Sequence, residues 1–156
     1  MKRLFITILL LFSFSVFANE ITYKDWRVNI DIDPITDKKD VFILAIDMTK
    51  TKDIESAGLM FTCEGVALVP LSKNWKDNQD GAMKVIFRVD KEKPIEMEWV
   101  MHKGNVSAKK EDFMNGALQN GKKLIVRAGS KSTRDFTFSL LGYKKAYERL
   151  EKECSN

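Results

Sequence analysis

From Trp26 to Leu140, apolar and polar residues alternate with a period of two in one short run after another. Such a run puts one face into a core and the other into water, as a β-strand does and a helix does not. Trp26, Val28, Ile30 and Ile32 alternate with Arg27, Asn29, Asp31 and Asp33. Residues 41–48 begin apolar on both faces, which suits a central strand. Leu59, Phe61 and Cys63 share one face of a third run, and residues 66–71 make a fourth, with Gly65 as the turn between them. Met83, Val85, Phe87 and Val89, then Ile95, Met97, Trp99 and Met101, flank the polar hairpin loop 90–94. Gly104-Asn105 reads as a tight turn into a short strand near Val106. Residues 124–128 and 136–140 supply two further strands. Many short strands between turn signals predict a mainly β fold, an antiparallel β-sandwich or flattened barrel.

Two segments change period. Phe113, Met114, Ala117 and Leu118 predict a short middle helix over 111–119, with Glu111 and Asp112 suited to its N-terminus. After Gly142, the residues Tyr143, Ala146, Tyr147, Leu150 and Cys154 form one stripe of a C-terminal amphipathic helix. The polar stretches 49–56 and 72–80 read as loops.

The first 18 residues read as an address. Lys2 and Arg3 precede a nearly unbroken apolar run, and Val16 and Ala18 stand at the −3 and −1 positions of a cleavage site. This pattern predicts a secretory signal peptide over 1–18 and a single β-rich exported domain over 19–156. The rival reading is an uncleaved anchor, but the run over 4–17 is short of the roughly 20 residues a span needs. No membrane span is expected after cleavage, and localisation is expected to be the periplasm or the extracellular medium. No cysteine lies near the site, which excludes a lipoprotein anchor.

Charge is uneven along the rest. Residues 19–100 hold twelve basic and sixteen acidic side chains, whereas 101–156 hold twelve basic and six acidic. The C-terminal part could meet anionic envelope polymers or lipid head groups, but solvated lysines on strand edges and a helix face are the favoured explanation of the excess. Nucleic acid is not expected as a partner, for want of a dense arginine and aromatic patch.

Cys63 and Cys154 are the only thiols. An oxidising compartment favours their pairing, which would clamp the C-terminal helix onto the strand carrying Cys63. The alternatives are a buried free Cys63 with a dangling Cys154, or pairing between chains. Nothing resembles C-x-x-C redox chemistry.

The residues offer little catalytic chemistry. A single histidine, His102, removes most catalytic designs that need a His pair, a His triplet or a zinc shell, and is expected as a surface or rim residue. Glu96 and Glu98 share a strand face at roughly 7 Å, a spacing related to glycosidase carboxylate pairs, but a solvated outer face explains them. Asp31, Asp33, Asp37 and Asp40 resemble an oxygen-rich calcium loop without EF-hand spacing, and read as turn chemistry. Trp26 and Trp99 carry core parity. Trp75, in a polar loop, is the candidate partner contact, against the alternative of a loop anchor folded onto the core. Arg88 and Arg127 are expected to pair with Asp90 or with another strand carboxylate. No catalytic residue, metal or cofactor is assigned.

These residues together resemble the small exported proteins of the invasion-associated locus B type and of the type VI secretion-associated TagO/VasI type. The resemblance runs through Trp26, Asp33-Pro34, Asp37, the strand with Cys63, Val85, Arg88, Asp90 and Trp99. It continues through Phe113, Gly121, Leu124, Arg127, Phe136, Leu140 and Gly142, and ends at Cys154. The short loop after Met48 and the lysine-rich stretch 107–110 depart from it. The resemblance implies a disulfide-bonded, β-rich periplasmic or secreted domain with an accessory role in envelope function, secretion or host-cell entry, and no catalytic residues. The expected function is therefore a non-enzymatic accessory or binding protein whose partner is an envelope protein or anionic envelope polymer. The alternatives are an envelope glycan or peptidoglycan hydrolase using Glu96 and Glu98, or a periplasmic enzyme inhibitor acting through the Trp75 loop.

Overall fold

The structure is a computed structural model that describes residues 19–49, 56–71, 80–102, 104–110, 116–129 and 133–155. The predicted signal segment, Trp75 and residues 111–115 of the predicted middle helix lie outside the described residues. The strands are β1 (Asn19–Tyr23), β2 (Trp26–Ile32), β3 (Lys39–Ile46), β4 (Ala57–Thr62), β5 (Gly65–Pro70), β6 (Gly81–Val89), β7 (Ile95–His102), β8 (Asn105–Lys109), β9 (Lys123–Ala128) and β10 (Arg134–Ser139). Among the described residues the helices given in full are α1 (Ala117–Asn120) and α2 (Tyr143–Cys154). All ten strands belong to one antiparallel sheet in the order β1-β2-β3-β4-β5-β8-β7-β6-β9-β10. A single coiled sheet thus supplies both faces around the core.

The alternating residues fill that core as the period predicts. Trp26, Val28, Val85, Trp99, Val106, Leu124 and Phe138 are all buried, and their outward neighbours are mostly exposed. One strand was not expected. In β1 only Ile21 and Tyr23 turn toward the core, too few positions to register as a period. One boundary also moves. Thr62 Oγ1 accepts hydrogen bonds from the N–H groups of Glu64 (3.2 Å) and Gly65 (3.1 Å), so the chain turns at once and Cys63 stands past the end of β4. Gly65 itself opens β5 instead of forming the turn. A Cβ there would run into the Ala108 carbonyl oxygen of β8.

The sheet coils until β10 meets the far side. The Met48 N–H donates to the Thr137 carbonyl at 2.8 Å, and the Thr137 N–H donates to Asp47 Oδ1 at 2.7 Å. The Trp26 indole N–H donates to the Ser139 carbonyl at 2.9 Å, and the Asp25 N–H to the Leu141 carbonyl at 3.3 Å. The first three of these bonds occupy the outer edge of β10, which would otherwise invite pairing with another strand, and the fourth lies just past its end.

Helix α2 then covers the core from within the curl. Tyr143, Ala146, Tyr147 and Leu150 are buried against β2 and β3, and Tyr143 lies 5.0 Å from the Trp26 ring and 5.3 Å from Phe61. Gly142 has φ +92°, and a Cβ there would strike the Tyr23 carbonyl, so glycine alone lets the helix start against the β1–β2 hairpin. At its other end α2 is held by the Cys63–Cys154 disulfide, by Lys39–Glu153 at 2.9 Å and by Lys110–Glu151 at 2.5 Å. No helix among the described residues is long and apolar enough to cross a membrane.

Candidate functional site

The residues singled out for chemistry are placed apart from one another. Glu96 and Glu98 are exposed on the outer face, and Glu96 is paired with Lys84 at 2.7 Å. His102 is exposed and its Nδ1 lies 3.5 Å from Asp80. Asp33 is a turn acceptor: its Oδ1 takes the N–H groups of Ile35 and Thr36, both at 2.8 Å, and these bonds, led by that of Thr36, hold its pKa below the usual value. Trp26 and Trp99 are core residues. Among the described residues no group of three or more histidine, cysteine or carboxylate side chains is placed to hold a metal.

The expected arginine pairs form only in part. Arg127 binds Asp135 on the neighbouring strand with two hydrogen bonds, 2.5 and 2.7 Å, and this lowers the carboxyl pKa of Asp135. Arg88 does not pair with Asp90. Its guanidinium donates to the carbonyls of Glu92 (3.0 Å) and Lys91 (3.3 Å), which lie closer in the hairpin loop. Asp90, at φ +47°, turns its carboxylate to the start of β9. There it accepts the N–H groups of Lys123 at 2.9 Å and Lys122 at 3.1 Å, while its own N–H donates to the Lys123 carbonyl.

This clamp brings separated lysines together. Lys91 and Lys93 lie in the β6–β7 hairpin loop, and Lys122 and Lys123 open β9 beside it. The Leu140 N–H donates to the Lys122 carbonyl at 2.9 Å, so the chain leaving β10 passes the same place and starts α2, where Lys144 and Lys145 are exposed. All six lysines are exposed, and none makes an ion pair with another described residue. Elsewhere several cations are matched, Arg27 with Glu20, Lys39 with Glu153, Lys84 with Glu96 and Lys110 with Glu151, whereas Lys24, Lys109 and Lys152 are single exposed lysines without such a pair among the described residues.

Two features set this end apart. Lys144 and Lys145 occupy the first turn of α2, which has no acidic residue, although a helix N-terminus disfavours cations. The acidic turn residues Asp31, Asp33, Asp37 and Asp40 lie instead at the far end of β2, seven residues or roughly 20 Å from Trp26. Lysines without ion partners thus gather at one end, and the four aspartates, with Lys38 and Lys39 between them, at the other. The sequence showed only the excess of basic residues after position 100. It could not show that Lys91 and Lys93, from the acidic half, join them.

Compared with protein-family models, with curated proteins and with solved structures, the chain finds no match.

Proposed function

We propose that this is a non-enzymatic, exported accessory protein of the bacterial envelope, working by display of a binding surface to an anionic envelope partner. The Cys63–Cys154 disulfide carries the reading. Such a bond persists in an oxidising compartment, and it agrees with the apolar leader over 1–18. The unpaired lysines at one end supply the surface. A role beside a type VI secretion apparatus or in host-cell entry belongs to the same proposal, through the resemblance described above. The hydrolase alternative is disfavoured by the exposure of Glu96 and Glu98 and by the Lys84–Glu96 pair, because a general acid needs burial to raise its pKa.

Cell fractionation with N-terminal sequencing tests the placement: the protein should be recovered outside the cytoplasm and should begin at Asn19. A chain beginning at Met1 and confined to the cytoplasm refutes it. Digestion of muropeptides by the purified protein, abolished in E96Q/E98Q, would establish the hydrolase instead.

A further inference from the structure

We infer that the lysine end is a docking surface for an anionic phospholipid bilayer. The inference rests on the proposal that this end binds an anionic partner, and it names that partner. The first argument is the type of cation. The unpaired charges are lysines on short loops and at element ends, compact point charges that suit a diffuse anionic surface better than a shaped ligand. The one arginine there, Arg88, has its guanidinium turned to the loop carbonyls and stiffens the hairpin.

The second argument is the apolar side chains among them. Leu141 is 54% exposed and sits between the start of β9, where Leu140 bonds Lys122, and the β1–β2 hairpin, where its own carbonyl accepts the Asp25 N–H. Ile95 is 40% exposed and follows Lys93-Pro94 at the start of β7. An apolar residue beside exposed lysines can enter the headgroup region while the ammonium groups stay with the phosphates. Exposed Ile32 and Ile35, at the other end, sit among four aspartates and two lysines that are already paired with carboxylates, so no free cations flank them.

The third argument is orientation. With the aspartate turn at the opposite end of β2, where Lys38 pairs with Asp40 and Lys39 with Glu153, an anionic plane attracts the lysine end more than the other, so approach is biased toward one pose. The Asp90 clamp keeps the hairpin lysines level with those of β9 in that pose.

The test is co-sedimentation of the disulfide-bonded protein with vesicles of phosphatidylcholine alone, or of phosphatidylcholine mixed with phosphatidylglycerol. Binding is expected to the mixed vesicles only and to weaken as salt rises. Each lysine near the surface contributes about fivefold, so K91Q/K93Q/K122Q/K123Q should lose at least tenfold in partitioning. L141S should lose severalfold. K109Q/K152Q, which removes two exposed lysines elsewhere, should bind as the parent does. Equal binding to both vesicle types, or binding unaltered in the four-lysine variant, overturns the inference. Salt-sensitive binding to soluble polyphosphate, lost in the four-lysine variant and indifferent to L141S, with no binding to vesicles, overturns the lipid assignment and leaves an anionic partner standing. Binding to neither probe overturns both.

Discussion

Asp47 shows how one side chain can close a sheet. It is 7% exposed at the end of β3, and its Oδ1 takes the Thr137 N–H of β10 together with the N–H and hydroxyl of Thr49. Its other oxygen, Oδ2, is buried with no hydrogen-bond partner. One oxygen, Oδ1, therefore does the joining. Asp47→Asn keeps the Oδ1 acceptor, trading an unpartnered buried oxygen for an unpartnered amide, and should cost less than Asp47→Ala. Asp47→Ala strands the Thr137 N–H at a buried edge and should cost about 1–3 kcal/mol. Urea denaturation of both variants checks the difference; equal losses would show that Oδ1 is not what joins β10 to β3. Asp90 works in a related way at the opposite side of the chain, holding two backbone N–H groups from the left-handed region, which aspartate tolerates better than most residues.

At the scale of elements, α2 is the piece that completes the core. Its stripe of Tyr143, Ala146, Tyr147 and Leu150 is buried, while the helix alone, twelve residues long, would be marginal in water. Leu150→Ala removes a fully buried side chain and should cost about 2–5 kcal/mol in a thermal or urea melt. The disulfide acts on the same element from its C-terminal end. It links residues 91 positions apart, and the chain-entropy argument gives about 4–5 kcal/mol as an upper value. C63S/C154S should therefore lower the melting temperature well beyond what a surface substitution does. An unaltered melting temperature and yield would show that burial and the Lys39–Glu153 and Lys110–Glu151 pairs hold the helix without the bond.

At the scale of the whole molecule, the pH dependence of stability follows from a few groups. The pKa values of Asp33, Asp135 and Glu153 lie below their ordinary values of 3.8, 3.8 and 4.5, chiefly through hydrogen bonds from the Thr36 N–H, Arg127 and Lys39 respectively. A depressed carboxyl pKa contributes stability that is full above the ordinary value and lost as pH falls through the folded one. Melting temperature should accordingly drop below about pH 4. Burial raises the pKa of Tyr143 and Tyr147 above 10.0, with the neighbouring Glu151 charge adding at Tyr147. Their contribution is full below pH 10.0 and shrinks above it, because only the unfolded phenols ionise freely there. Ultraviolet absorbance should show both phenolates appearing together with unfolding; titration in the native state would contradict this burial. The strands, the C-terminal helix stripe and the partners of the disulfide were legible because each depends on neighbours two or four residues away, or on a choice between only two sulfurs. The β1 strand was not, because two inward residues make no period, and the Arg88–Asp90 pair failed because backbone groups of a hairpin loop and of β9 lay nearer than either side chain's expected partner. The sequence by itself determined which residues face inward and that the tail folds back as a helix, since hydrophobic periodicity is a local property. Only the tertiary structure decided that β10 closes on Asp47 and that lysines from 91–93, 122–123 and 144–145 share one end, because sheet order and register, which set those distances, are properties of no single segment.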